Sequence, residues 1–325
     1  MKLTGITWIP TYNCNIDCDH CFFDTLGKQK YMDPDIIHKA LDGFAHTKYM
    51  FWQQLSGGEI FLNEKKLFQI ISNIRHYFNK NIGLSTNAFW ARDEKQTRGK
   101  VEELSKSGVT GIALSADYYH QKKMDISGPK LLAKVLKESG LKTHSYLMGA
   151  HLKNDVTNAQ KVNAITQGIT SEINDKLDLP IAVAHERSIG KGSRINNPKK
   201  TVIPQGMCTE LNTCLGKRSP FNPAMVWIDA YGNVMICYGI IIGNLHANSL
   251  NEIIANYKPN NYPLLEGLAQ LGPKYLYKKA KQLTVKLPPA FFDECDVCYQ
   301  SRVVLRKKYP ELFGPDECYP EGLIF

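Results

Sequence analysis

The sequence predicts an α/β protein: six strand–helix units around a parallel sheet, followed by a smaller α+β region. Three observations carry this. Short apolar runs alternate with helical patterns from Leu3 to Ala184. The alternation then breaks, and a hairpin pattern with a Gly232-Asn233 turn replaces it. The chain, at 325 residues, is long enough for one large domain plus a small one, and we place them at 1–205 and 206–325.

The elements follow in order. Leu3 to Pro10 reads as the first strand. Asp33-Pro34 opens a helix, proline being tolerated in the first turn, with Ile36, Ile37, Ala40 and Phe44 as its apolar face. A second strand runs from Tyr49-Met50-Phe51-Trp52 to Leu55-Ser56-Gly57-Gly58-Glu59. Leu67, Ile70, Ile71, Ile74 and Phe78 mark the second helix. Ile82 to Asn87 is the third strand, a charged helix runs from Asp93 to Gly108, and Gly111 to Asp117 is the fourth strand. A helix through Leu131, Leu132, Val135 and Leu136 is expected to end on Gly140 as a glycine cap. Leu141 to Met148 reads as the fifth strand, Val156 to Ile169 as the fifth helix, and Leu179 to Ala184 as the sixth strand. In the last third, Met225 to Cys237 is the hairpin and Ser249-Leu250-Asn251-Glu252 is a capping box ahead of a short helix.

Composition narrows the class. The net charge of +9, from 40 basic and 31 acidic residues, is dispersed, with no basic stripe interleaved with aromatics, so nucleic acid is not the expected partner. No run approaches the roughly 20 apolar residues of a membrane span, and the N-terminus lacks a signal-peptide core. Nine cysteines in such a chain point to metal or redox use in a reducing cytoplasm rather than a disulfide framework.

The cysteines fall into two groups. Cys14, Cys18 and Cys21 form a CxxxCxxC run, Asn13-Cys14-Asn15-Ile16-Asp17-Cys18-Asp19-His20-Cys21. Three thiolates on one loop hold three irons of a cubane cluster and leave the fourth open, whereas a closed site takes four; a zinc site is the alternative. Cys208, Cys214, Cys237, Cys295, Cys298 and Cys318 lie in the last third, Cys295 and Cys298 as a CxxC opening a helix.

The triplet, with Gly57-Gly58-Glu59 one strand later, resembles the signature of the radical S-adenosylmethionine (SAM) enzymes. The resemblance covers essentially the whole chain. It implies a partial (βα)6 TIM-like barrel, followed by a small α+β cluster domain of the twitch or SPASM kind. Chemistry is then expected at the C-terminal strand ends. The resemblance implies a SAM-binding [4Fe–4S] cluster on Cys14, Cys18 and Cys21, with His20 near the adenine. It places Gly57, Gly58 and Glu59 on the SAM amino group, and Ser85, Asn87, Ser115 and Asp117 on SAM or substrate. His185 to Gly192 corresponds loosely to an adenine-side segment. A second, auxiliary [4Fe–4S] cluster is implied on Cys214, Cys237, Cys295 and Cys298, the zinc ribbon being the alternative.

The stretches Ser85-Thr86-Asn87-Ala88-Phe89-Trp90 and Ser115-Ala116-Asp117-Tyr118-Tyr119-His120 look most like peptide-modifying members, including peptide epimerases. The implied reaction is hydrogen abstraction from a peptide by a deoxyadenosyl radical, with flavodoxin or ferredoxin as external electron donor. A peptide would bind the barrel or the twitch-like domain directly. Cys208 is the candidate catalytic thiol, returning a hydrogen atom to the substrate radical; the alternatives are that it takes the place of Cys214 as a cluster ligand or is a small buried apolar residue. Dehydrogenation of a small molecule, and a non-catalytic cluster- or zinc-bearing interaction protein, are the other readings.

Overall fold

The computed structural model describes residues 3–25, 30–152, 158–185, 188–195, 223–283, 287–288 and 290–320. Six parallel strands follow one another in space as in sequence: β1 (Gly5–Ile9), β2 (Trp52–Leu55), β3 (Asn81–Thr86), β4 (Gly111–Ser115), β5 (Tyr146–His151) and β6 (Ile181–His185). Helices α1 (Asp35–Leu41), α2 (Glu64–Tyr77), α3 (Glu94–Lys106), the single turn α4 (Tyr118–Gln121), α5 (Ser127–Lys137) and α6 (Ala159–Ile173) connect them. Every residue of β1 and of β4 is buried, which is why both read as continuous apolar runs and not as alternating ones. α2 turns Leu67, Ile70, Ile71 and Ile74 onto the sheet, and Asn63 caps it by accepting from the Lys66 N–H.

The hairpin expected at 225–237 is present as β7 (Met225–Asp229) and β8 (Asn233–Cys237), with β9 (Ile240–Asn244) added antiparallel. Its docking was not legible beforehand. β7 pairs in parallel with β1, Gly5 opposite Met225 through Ile9 opposite Asp229, so the hairpin continues the six-strand sheet into one of nine strands. Beyond it lie α7 (Leu250–Asn256), which carries the expected capping box, α8 (Leu265–Leu271), α9 (Pro273–Lys281) and α10 (Glu294–Leu305).

The helix expected over 156–169 is observed as α6, Ala159–Ile173, its expected start lying outside the described residues, and two further boundaries differ for local reasons. α5 ends at Lys137, and Gly140 is not in the left-handed conformation of a glycine cap. The Ser139 hydroxyl donates instead to the Leu136 carbonyl at 2.9 Å, meeting one of the helix's open acceptors. β5 begins at Tyr146 and not Leu141, because Lys142–His144 forms a 3₁₀ turn laid against Gly111. A Cβ at Gly111 would stand 2.1 Å from the His144 carbonyl oxygen.

Candidate active site

The first βα loop is built before it reaches its cysteines. After β1, Thr11 donates to the Lys30 carbonyl at 2.9 Å and accepts from the Asn13 N–H at 3.1 Å, a side-chain turn that sets the chain's direction. Gly58 and Glu59 N–H groups donate to Thr11 and Asn13 carbonyls, both at 2.9 Å. Only glycine allows this approach. A Cβ at Gly58 would lie 2.0 Å from the Asn13 oxygen, and Gly57 sits at φ +124° with Thr11 oxygen 2.6 Å from where its Cβ would be. The glycine pair therefore presses the end of β2 directly onto the root of the cysteine loop.

The loop's far end is held from the sixth unit. Lys191 N–H donates to the Cys21 carbonyl at 2.9 Å, its ammonium pairs with Asp17, and Gly190 adopts φ +57° where a Cβ would meet the Phe22 carbonyl oxygen at 2.3 Å. Of the expected segment 185–192, Gly190 and Lys191 thus reach the site by touching the loop. Glu186 and Arg187 lie outside the described residues.

Cys14, Cys18 and Cys21 carry free thiols close enough for charge on one to act on another. Burial pushes Cys14 up to about 11 and Cys21 up to about 12, and raises Cys18 further; Glu59 adds repulsion at Cys14, and neighbouring thiolates add it at Cys18 and Cys21. Three such groups ionise together only around a metal charge that offsets both penalties.

Glu59 is 2% exposed, and its carboxylate faces inward. Oε1 accepts from the Phe61 N–H (3.1 Å) and Thr86 hydroxyl (3.0 Å), and Oε2 from the Asn87 N–H (2.8 Å). Burial still pushes it up to about 7 against those bonds. In this geometry the side chain ties the β2 loop to the end of β3. Asn87 continues the tie: its amide donates to Asn15 Oδ1 at 2.9 Å and lies 4.0 Å from Cys14 Sγ. Ser85 accepts from Gln54 Nε2 at 2.9 Å, and Ser115 lies buried at the end of β4.

Asp117 and His20 meet at the fourth strand end. Asp117 caps α4 with Oδ1, while Oδ2 bonds His120 Nδ1 at 2.9 Å, accepts from Ala150 N–H, and stands 3.8 Å from His20 Nε2. His120 and His20 together hold the Asp117 carboxyl far below its usual range, and Asp117 in turn raises His120 against its burial. His20 stacks on Tyr119 with centroids 4.7 Å apart, and burial lowers it to about 4, keeping it neutral. Gln54, Thr86 and His120 were not singled out from sequence. His120 had a readable signal, Asp-x-x-His at a helix start; the other two had none.

The expected residues of the first group thus converge on the C-terminal ends of β1 to β4, with Gly190-Lys191 closing from beyond β6. Residues 8–154 match the Radical SAM superfamily. They form a radical SAM domain.

A radical SAM domain implies a SAM-binding [4Fe–4S] cluster, and the three thiols of one pinned loop suit three of its irons. Over 108 residues, 33% of the chain and 34% of the relative, the protein is 31% identical to YydG of Bacillus subtilis (strain 168), a candidate peptide biosynthesis protein. The match spans about a third of that relative's length. The fold is similar to that of Streptococcus suis SuiB bound to precursor peptide SuiA, with TM-score 0.57, 14% identity, and 98% of this chain against 76% of that one. It is also similar to anSMEcpe with bound AdoMet and Cp18Cys peptide, with TM-score 0.52, 12% identity, and coverage of 94% and 96%. At such identities the likeness is one of fold.

The second cysteine group is assembled differently. Cys237 ends β8, while Cys295 and Cys298 share a face of α10, whose N-cap Asp293 accepts from the Asp296 N–H. Cys298 lies close enough to Cys237 to sense its charge. Cys318 instead faces Tyr12 and Asp229. Cys208 and Cys214 lie outside the described residues. Among the described residues no helix is long and apolar enough to cross a membrane.

Proposed function

We propose that the protein is a radical SAM enzyme that modifies a peptide, with epimerisation of an L-residue as the favoured outcome. The observation that carries the radical SAM reading is the thiol triplet pinned between Gly57-Gly58 and Gly190-Lys191 at the strand ends. A cluster held by Cys14, Cys18 and Cys21, with SAM beside it, would supply the radical chemistry that removes a substrate hydrogen. The chain's own groups do the rest. Glu59, Thr86 and Asn87 hold the β2 and β3 ends in register with the cysteine loop, and the glycine pair lets the root of that loop pack directly on the end of β2. His20, neutral and stacked on Tyr119, offers a flat apolar face suited to an adenine ring.

The peptide substrate rests on the YydG likeness and on the fold shared with SuiB, a protein seen with a precursor peptide. Cys214, Cys237, Cys295 and Cys298 would hold the auxiliary cluster, and Cys208 would return the hydrogen atom. Flavodoxin or ferredoxin would supply electrons, and the protein would work in the cytoplasm.

The test incubates anaerobic protein, SAM and dithionite with candidate precursor peptides in D₂O. Epimerisation leaves peptide mass unchanged in H₂O and places one deuterium at an alpha carbon in D₂O. Loss of two hydrogens would instead make it a dehydrogenase or crosslinking enzyme, and absence of deoxyadenosine would remove the enzyme reading altogether.

A further inference from the structure

α10 places three residues on one face, Cys295, Cys298 and Arg302, at spacings of three and four. Arg302 is 1% exposed. Burying a guanidinium is costly unless an anion accompanies it. The partners found here are neutral. Nη1 donates to the Tyr238 carbonyl at 2.6 Å and to the Tyr319 hydroxyl at 3.1 Å, and the guanidinium lies 5.4 Å and 5.7 Å from the Tyr299 and Tyr319 ring centres. Its Nε is buried without a partner among the described residues. The guanidinium is also within hydrogen-bond reach of the Cys298 thiol and senses the charge of Cys237. The described neighbours of this cation thus include no carboxylate, while Cys298 stands one helical turn before it and Cys237 directly precedes the Tyr238 carbonyl it bonds.

A cubane held by four thiolates is such a counter-charge: a dianion when oxidised and a trianion when reduced. Net charge and hydrogen bonds to sulfur are the levers that set the potential of such clusters. We infer that Arg302 is a positioning residue for the auxiliary cluster, donating to the Cys298 sulfur and favouring the cluster's reduced state. This rests on the reading that Cys237, Cys295 and Cys298 bind a cluster. Arg302 also clamps the Tyr238–Gly239 turn beside Cys237, so a purely structural role must be separable by the readout.

The experiment is an anaerobic redox titration of full-length holoprotein, followed by electron paramagnetic resonance. The wave that survives replacement of Cys14, Cys18 and Cys21 by alanine assigns the auxiliary cluster. Arg302→Gln keeps donors for the Tyr238 carbonyl and removes the charge. At the wild-type midpoint it should lower the reduced-to-oxidised ratio at least ten-fold, a shift of about 59 mV for one electron. Arg302→Lys should recover most of that shift. An unmoved midpoint in Arg302→Gln with iron retained overturns the inference and leaves Arg302 a clamp. Should Arg302→Gln lose its cluster, the Arg302→Lys midpoint decides, and a ten-fold or larger fall there overturns it. Should both variants lose iron, electron–nuclear double resonance on the wild-type reduced cluster decides: an exchangeable proton coupled to it supports the inference, and none overturns it. A wild-type protein without a second cluster fails the underlying reading instead, and is recognised by its iron content alone.

Discussion

The two cysteine groups are brought together by opposite routes. Cys14, Cys18 and Cys21 occupy one eight-residue loop, and neighbouring backbone pins it at Thr11, Asn13 and Cys21. Its thiols are close because they are close in sequence. Cys237 and Cys298 are separated by one strand, β9, and three helices, and meet only because α10 packs back over the β8–β9 turn. The first site needs glycines, so that backbone can approach backbone. The second needs a buried core around Arg302, Tyr299 and Tyr319. Proximity in sequence makes a site robust to distant change; assembly through tertiary packing makes it depend on every element that packs.

The sharpest break of the comparison is full removal of the loop site. Replacing Cys14, Cys18 and Cys21 together with alanine should abolish deoxyadenosine formation under dithionite while iron remains on the C-terminal group. Continued SAM cleavage by that variant would end the assignment.

The converse variant, Cys298→Ala, should lower iron from about eight to about four per chain after reconstitution, the counts for two cubanes and one. SAM cleavage uncoupled from substrate should persist. Stoichiometric zinc in place of the lost iron would make the second group a structural ribbon.

Gly58→Ala tests whether the loop depends on close approach. Its Cβ would stand 2.0 Å from the Asn13 oxygen, and that backbone must move. We expect a stability loss of about 1–3 kcal/mol, as for other overpacked sites, with poorer iron loading at the first group only. Chemical unfolding and iron analysis in the Cys298→Ala background separate the two effects; unchanged loading would show that the loop tolerates displacement.

The smallest effect lies at the seam between the regions. Asp229, ending β7, accepts from the Tyr12 hydroxyl at 3.0 Å, yet burial pushes its carboxyl from 3.8 up to about 6. The native protein therefore holds this proton more tightly than the unfolded chain does. Its stabilising contribution is full below the unfolded value and is lost as pH rises through about 6. Between pH 5.5 and 7.5 the remaining loss is about 1 kcal/mol. Urea unfolding should show that decline in wild type and its disappearance in Asp229→Asn; parallel pH profiles would place the ionisation elsewhere.

Much of this was legible in the sequence, for reasons that can be named. Six strands and their helices show because each buries one periodic face, and Cys14, Cys18, Cys21, Gly57 and Gly58 show because spacing and residue type are local. Asn87 showed as a strand-end residue, but its bond to Asn15 did not, since nothing in sequence says which loop it faces. Glu59 illustrates the limit most clearly: its place in the motif is readable, whereas the inward turn onto Phe61, Thr86 and Asn87 is not.

The sequence by itself determined the parallel α/β order and the three-cysteine loop, because periodicity and short spacing are properties of neighbouring residues. Only the tertiary structure decided that β7 joins β1, that Gly190 closes on Phe22, and that Arg302 is buried against Cys298. Those outcomes depend on which surfaces find each other once loop entropy has been overcome, and a linear pattern carries no record of that partner choice.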